Sequence, residues 1–590
     1  MKTVVDCLSQ VRLFIIFLMI LSCTQLVPKS THQGHFADLA EGEKKIDHHN
    51  VYQHFVAASG GRESSLIAAQ IYQKSENIVD SAVALSFALA VERPHSTGIC
   101  GGGFLLLKLV DQKIPLVFDF RETAPLASSE TMFQDKDGNV IERLSLDGVK
   151  SVAVPGLVAG LYDIHQKYGS LDFAELLAPA IRLAEKGFVI YPSLAEAIDK
   201  RKPVMAGHDF KNIFYHKDGS ARQVGEILKQ PQLAKTLRLI AEKGKDGFYK
   251  QEVAQAIVDK VKAFGGILTL KDLESYQVKQ RSPIHTRYKG KNIFSMPPPS
   301  SGGLSLAQIL NILAEDNLSR LGFQSAQSLH LMASAMQLAY LDRARYLGDS
   351  DFVTVPSGQL SSAAYGQKLR DQIKDKAIAS KVLAQNSKID LNFSESDETT
   401  NFSLMDHKGN ALVSTQTINW LFGSGVIVSD YGLILNNEMD DFTAKVGEKN
   451  VFQLVGGAQN SIAPAKRPLS SMTPTIVTNE NHRPLMAIGS PAGSRIITCV
   501  AQAIINYLDY QLPLYESIAA TRIHHQWMPD QILVDESGLN DEVLQKLSDK
   551  GHQITQGKVG CRVSAVAQEG ALLQGVADPR DYGQVQGLSL

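Results

Sequence analysis

Residues 399–419 read TTNFSLMDHKGNALVSTQTIN, and no other run constrains the fold as tightly. Thr399 to Met405 alternates large side chains as a strand does. Asp406 to Asn410 makes a turn in which Gly409 and Asn410 tolerate positive φ, and Ala411 to Asn419 reads as the returning strand. While the chain stays whole, Thr399 and Thr400 are ordinary β-formers. A cut just before Thr399 changes the chemistry. A threonine hydroxyl is a poor nucleophile until a base takes its proton. A free α-amine, with a pKa of about 7.7–8.0, is partly neutral near pH 7 and can do so. One residue then carries nucleophile and base together, and no histidine is required.

At 590 residues the chain has ample length for a large core, and with 44% hydrophobic and 20% charged residues it has a soluble globular profile. A net charge of −2 provides no basic footprint for nucleic acid. Lys2 and Arg12 precede the apolar run Leu13 to Leu21, which is far shorter than the ~20 residues that span a bilayer. Residues 1–23 therefore read as a secretory signal peptide, and export to the periplasm is expected. A short membrane anchor and lipidation at Cys23 are the alternatives. Of five cysteines, Cys7 and Cys23 lie in or beside the signal, leaving Cys100, Cys499 and Cys561. One bridge among these three can form in an oxidising compartment; no metal-ligand spacing is present, and no cofactor is expected.

Residues 24–54 are polar, with His32, His35, His48 and His49 among them, and read as a solvated linker. Beyond them Ser65–Lys74 and Asn77–Ala90 read as helices, the second apolar enough to be largely buried. The glycine run 101–103 lacks phosphate-loop spacing and reads as close-packed backbone beneath a sheet, ahead of strands Leu105–Leu109 and Leu116–Phe120. Arg121 follows the second strand, where an arginine is either a solvated rim residue or a two-pronged grip on a carboxylate. Residues 150–290 alternate helical segments (156–168, 173–185, 233–243, 250–264) with short connectors and read as scaffold. After the break at Met296–Gly303 come two more helices, over about 304–313 and 328–346. The polar run from about 370 to 398 has the profile of a cleavable connector. Residues 443–464 read as a mobile loop. Gly489–Ser494 is a turn between a strand (484–488) and an apolar helix (496–508). Its backbone N–H groups can hold an oxyanion, or it is a plain glycine turn. A metal reading of residues 436–441 lacks the loop spacing that calcium requires.

The chemistry-bearing residues form a set. Asn419, Glu438 and Asp441 suit an α-ammonium group, and Arg121, Ser470 and Ser471 suit an α-carboxylate. A threonine nucleophile then faces the side chain of the amino acid so held, and a γ-glutamyl group fits that description. The sequence resembles the γ-glutamyltranspeptidases, which are N-terminal-nucleophile hydrolases. The motifs are ERPHSTGICGGGF (92–104), DFRETAP (119–125), FSMPPPSSGG (294–303), DRARYLGDSDFVTVP (342–356), TTNFSL (399–404), LNNEMDDF (435–442), KRPLSSMTPT (466–475), GSPAGSRI (489–496) and RIHHQW (522–527).

The resemblance implies a four-layer αββα sandwich with a largely helical portion, and a proenzyme that cleaves itself between Glu398 and Thr399. The large subunit (55–398) and small catalytic subunit (399–590) then form one globular heterodimer. It implies Thr399 as nucleophile, Thr417 supporting its amine and hydroxyl, and the amides of Ala492 and Gly493 as the oxyanion hole. Asn419, Glu438 and Asp441 hold the substrate ammonium, and Arg121, Ser470 and Ser471 its carboxylate. Glutathione and other γ-glutamyl compounds are the implied substrates, with water, amino acids or dipeptides as acceptors. Three positions depart from the family. Ala492 stands where glycine is usual, so its backbone is expected to avoid a glycine-only conformation. Asn401 replaces a histidine of some members. Phe452 replaces a tyrosine on a lid loop and cannot make a hydroxyl-mediated latch.

Overall fold

The hairpin that opens at Thr399 is the centre of a seven-stranded sheet. In the computed structural model its strands, in hydrogen-bonded order, are Gln584–Leu588, Phe55–Ser59, Thr400–Asp406, Ala411–Thr417, Gly102–Lys108, Leu116–Phe120 and Lys279–Arg281. The chain divides into Met1–Lys45 and Ile46–Leu590. The structure describes residues 47–205, 210, 213–383, 399–446 and 457–589. The signal segment with Cys7 and Cys23, residue Glu398 and the lid-loop residue Phe452 lie outside the described residues.

A second seven-stranded sheet runs His49–Tyr52, Leu572–Ala577, Ser564–Glu569, Pro484–Gly489, Thr475–Thr478, Lys291–Ser295 and Ile284–Tyr288. It packs face to face on the first through the strands at 400–406, 411–417, 484–489 and 564–569. The helices Arg62–Ser75 and Ile78–Glu92 cover the outer face of the first sheet, and Gly302–Ile312 and Ile496–Leu508 that of the second. The result is the expected αββα sandwich. The two central strands of the hairpin are buried at every position, so both their faces are covered.

Local sequence accounts for the elements that carry the site. Asn77 caps the second helix, its side chain accepting the Val79 N–H at 2.8 Å, and all fifteen helical residues are buried. Thr417 pairs with Gly102 in the register of the hairpin against Gly102–Lys108. A Cβ on Gly101 would run into the Thr417 carbonyl oxygen, so the glycine run is close-packed backbone, as its composition indicates.

Two expectations change. His49–Tyr52, within the segment read as a polar linker to residue 54, is the edge strand of the second sheet, paired with Leu573–Val576. Its alternately exposed side chains explain why composition alone reads as a linker. The scaffold region also holds a helix at Pro192–Met205, whose charged run and internal Pro203 hide its period. Cys499 and Cys561 form a disulfide, and Cys100 is buried and free.

Candidate active site

Where the hairpin's first strand begins, a cleft opens, with about 310 Å³ of empty space counting its open mouth. It is lined by Thr399, Thr417, Asn419, Glu438, Asp441, Ser470, Ser471, Gly493 and Arg121, nine of the ten residues singled out from sequence. The tenth, Ala492, precedes Gly493 and is fully buried. Arg343, Leu469, Met472 and Ile496 complete the lining.

Thr399 and Thr417 are both buried, at the start of one strand and the end of its partner. The Asn419 N–H donates to the Thr417 hydroxyl at 2.8 Å, and Asn419 Nδ2 donates to the Asn437 carbonyl at 3.0 Å. Asn419 has φ +73°, a conformation asparagine tolerates better than most residues. Asn436 and Asn437 fix the acid-bearing turn at 438–441. Asn436 Nδ2 donates to the Cys100 and Ala153 carbonyls at 2.8 and 2.9 Å, while its Oδ1 accepts the Glu438 N–H at 3.0 Å. Asn437 Oδ1 accepts the Trp420 N–H at 3.0 Å. The amides read as possible metal ligands are thus engaged with backbone.

Arg121 sits at the centre. Its guanidinium ion-pairs with both Glu438 and Asp441, and its Nε donates to the Pro468 carbonyl at 3.3 Å. The arginine assigned to one end of the substrate and the acids assigned to the other are therefore in direct contact. Glu122, equally buried, lies 4.0 Å from the same guanidinium, and none of the hydrogen-bond donors among the described residues reaches either of its oxygens or Glu438 Oε2. Three carboxyl groups thus share one arginine. Burial, reinforced by Glu438, holds Glu122 well above the usual carboxyl range. Burial pushes Glu438 up to about 8 against the pull of Arg121. Burial thus favours the protonated form of Glu122 and weakens the ionisation of Glu438 beside it.

The serine loop faces the acids. The Ser470 hydroxyl accepts the Met472 N–H at 3.1 Å, and the Ser471 hydroxyl accepts from Arg343 Nη2 at 3.3 Å. Each oxygen is occupied as an acceptor, and neither hydroxyl donates to an acceptor among the described residues. Two O–H groups are thereby left to bind an anion. The loop rests on the Pro-rich break: the Ser470 N–H donates to the Pro299 carbonyl at 2.9 Å, and the Ser301 N–H to the Ser470 carbonyl at 2.8 Å. Asn460, with no signal in the sequence, joins the two halves of the site. Its Nδ2 donates to the Asp441 carbonyl at 2.7 Å and its Oδ1 accepts the Leu469 N–H at 2.9 Å.

At the oxyanion turn an expectation fails. Ala492 does not avoid the glycine-type conformation; it adopts φ +114° and ψ 44°, and Gly493 follows at φ +51°. The turn must reverse from the strand ending at Gly489 into the helix starting at Ile496. The surrounding packing holds the alanine there at a strain of about 1–3 kcal/mol.

A family model described as gamma-glutamyltranspeptidase matches residues 64–588. The chain belongs to the γ-glutamyltranspeptidase family. It is an enzyme of that family. It is 39% identical over 528 residues to a glutathione hydrolase proenzyme of Escherichia coli K12, covering 89% of this chain and 90% of the relative. A glutathione hydrolase proenzyme of Pseudomonas aeruginosa is 41% identical over 522 residues, covering 88% and 91%. Among solved structures, a cephalosporin acylase from Bacillus halodurans superposes with a TM-score of 0.80 at 25% identity, covering 94% of this chain and all of that one.

Proposed function

We propose that this chain cleaves itself between Glu398 and Thr399 into a large subunit (55–398) and a small one (399–590), and then hydrolyses or transfers γ-glutamyl groups. The observation that carries this reading is the meeting of Thr399, a pair of acids and a pair of serines in one cavity. Thr399 Oγ attacks the γ-carbonyl of glutathione or a related compound while its own α-amine takes the hydroxyl proton. The N–H groups of Ala492 and Gly493 stabilise the tetrahedral oxyanion, and the leaving amine, cysteinylglycine from glutathione, departs with a proton. Water, an amino acid or a dipeptide then attacks the γ-glutamyl ester and restores Thr399.

Asn419, Glu438 and Asp441 receive the substrate ammonium. Its arrival favours the ionised form of Glu438. The Ser470 and Ser471 hydroxyls donate hydrogen bonds to the α-carboxylate, beside Arg121, which the acids hold in place. Thr417 positions the nucleophile. Two buried carboxylates facing an acyl chain without an ammonium group would be costly, which favours a γ-glutamyl over a glutaryl substrate. Export to the periplasm suits the apolar run Leu13–Leu21 and the Cys499–Cys561 bridge.

The test is the Thr399→Ala variant. It is expected to run as one uncut chain on a denaturing gel and to be inert toward a γ-glutamyl anilide, while the wild type shows two fragments and turnover. Two fragments and full turnover from the variant would end the proposal.

A further inference from the structure

The turn that carries the Ala492 and Gly493 N–H groups is held from both sides of the Glu398–Thr399 bond. Neither N–H donates to a backbone carbonyl among the described residues, which leaves both to face an anion. Their direction depends on a conformation that alanine disfavours, with Ala492 at φ +114°. Downstream of the bond, the Arg495 N–H donates to the Ala492 carbonyl at 2.9 Å. From upstream comes Tyr340, on the helix Ala326–Tyr346, whose hydroxyl donates to the Ser494 carbonyl. A carbonyl only accepts, so the phenol has to keep its proton, and burial raises its pKa. The buried ring stands edge-on to His524, with centroids 5.8 Å apart and planes at 89°. His524 is hydrogen-bonded in turn to the Thr498 hydroxyl at 2.8 Å and to Gln526 Oε1 at 2.9 Å. The tyrosine thus has a fixed place from which to hold the turn.

We propose that Tyr340 is a positioning residue for the oxyanion turn, acting on the Gly493 N–H through a chain of hydrogen bonds. The inference rests on the γ-glutamyl reading above. Its support is the way the bonds thread two peptide units. The Tyr340 hydroxyl donates to the Ser494 carbonyl, and the N–H of that same peptide unit belongs to Arg495. The Arg495 N–H donates to the Ala492 carbonyl, and the N–H of that second unit belongs to Gly493, which lines the cavity. Every bond points the same way, so each polarises the next and sharpens the last donor. The same chain opposes the strain at Ala492, which works to relax the turn, and one buried hydrogen bond is of comparable size to that strain. Without the tyrosine hydroxyl the alanine is free to drift, and the two N–H groups with it.

The experiment measures hydrolysis of a γ-glutamyl anilide by wild type, Tyr340→Phe, Ala492→Gly and the double variant. Fragment pattern on a gel and a thermal melt monitor processing and folding. Tyr340→Phe keeps the ring and removes one oxygen. Acylation and deacylation pass through the same kind of oxyanion, so kcat should fall about 10-fold or more while KM stays within about threefold. In the Ala492→Gly background there is no strain for the hydroxyl to oppose, and the loss from Tyr340→Phe should be smaller by about threefold or more. If Tyr340→Phe stays uncut, the double variant carries the test, because Ala492→Gly should restore two fragments and turnover. A wild-type kcat in Tyr340→Phe, a loss confined to KM, an equal or larger loss in the Ala492→Gly background, or a folded double variant without turnover overturns the role of Tyr340. A wild type inert toward the anilide overturns the underlying reading and this inference with it.

Discussion

Thr417 and Asn419 are joined by a hydrogen bond in which the Asn419 N–H donates to the Thr417 hydroxyl at 2.8 Å. That bond occupies the hydroxyl oxygen as an acceptor and leaves its proton for a neighbour in the same cavity. Thr417→Val removes the acceptor and strands a buried N–H, at a cost of about 1–3 kcal/mol. The variant should melt lower and generate its two fragments more slowly, whereas Thr417→Ser should do neither. Thermal melts and a time course of fragment appearance check this.

Arg121 makes direct ion pairs with both Glu438 and Asp441, which a lysine cannot reproduce with one ammonium point. Arg121→Lys leaves a buried carboxylate poorly answered, and losses of about 3–5 kcal/mol follow when a buried pair is broken. Urea unfolding should show the midpoint falling sharply. A midpoint within error of wild type would mean that the acids do not depend on this guanidinium.

Glu122 gives a pH dependence whose sign is set by its raised pKa. Burial, then Glu438, holds the group protonated in the native state well above the ordinary value of 4.5 at which the unfolded chain releases that proton. Its contribution to stability is therefore complete below that value and declines as pH rises toward the native-state pKa, by up to about 1.4 kcal/mol per unit. Glu122→Gln fixes a neutral donor at the same place. Melting temperatures followed upward from acid pH should fall less steeply for the variant than for the wild type; parallel curves would contradict the assignment.

Ala492 at φ +114° carries strain that glycine would not. Ala492→Gly should raise stability by about 1 kcal/mol, read as a higher denaturant midpoint. A lower midpoint would mean that the methyl group's packing outweighs the backbone term.

How much of this was legible in the sequence depends on whether a feature is local. The strand Leu116–Phe120 and the helix Ile496–Leu508 can be read to the residue, because an apolar run between polar or glycine boundaries has one plausible form. The residues that meet in the cavity were legible through motifs, each carrying its chemistry in adjacent letters. Arg343 was not. Arg343 and Arg345 are two residues apart on one helix and so point to different sides. One is buried beside Ser301 and Ser471 while the other reaches the Leu383 carbonyl at 3.1 Å, and no letter distinguishes them. The contact of Arg121 with both acids was hidden for the same reason. The motifs at 119–125, 435–442 and 466–475 meet only after the sheets are stacked, and the conformation of Ala492 depends on the turn it closes.

The order of strands in the nucleophile's sheet has one more result. Severing the chain ahead of Thr399 leaves the strands from 400 and 411 flanked by Phe55–Ser59 and Gly102–Lys108, both supplied by the upstream piece. The Cys499–Cys561 bridge ties the downstream piece only to itself. Among the described residues no disulfide joins the halves, which are interleaved, and neither can leave without baring the raw ladder edges of the other. A nick of this kind is irreversible in practice: the two pieces have to be born as one chain, and whatever pulls them apart destroys both.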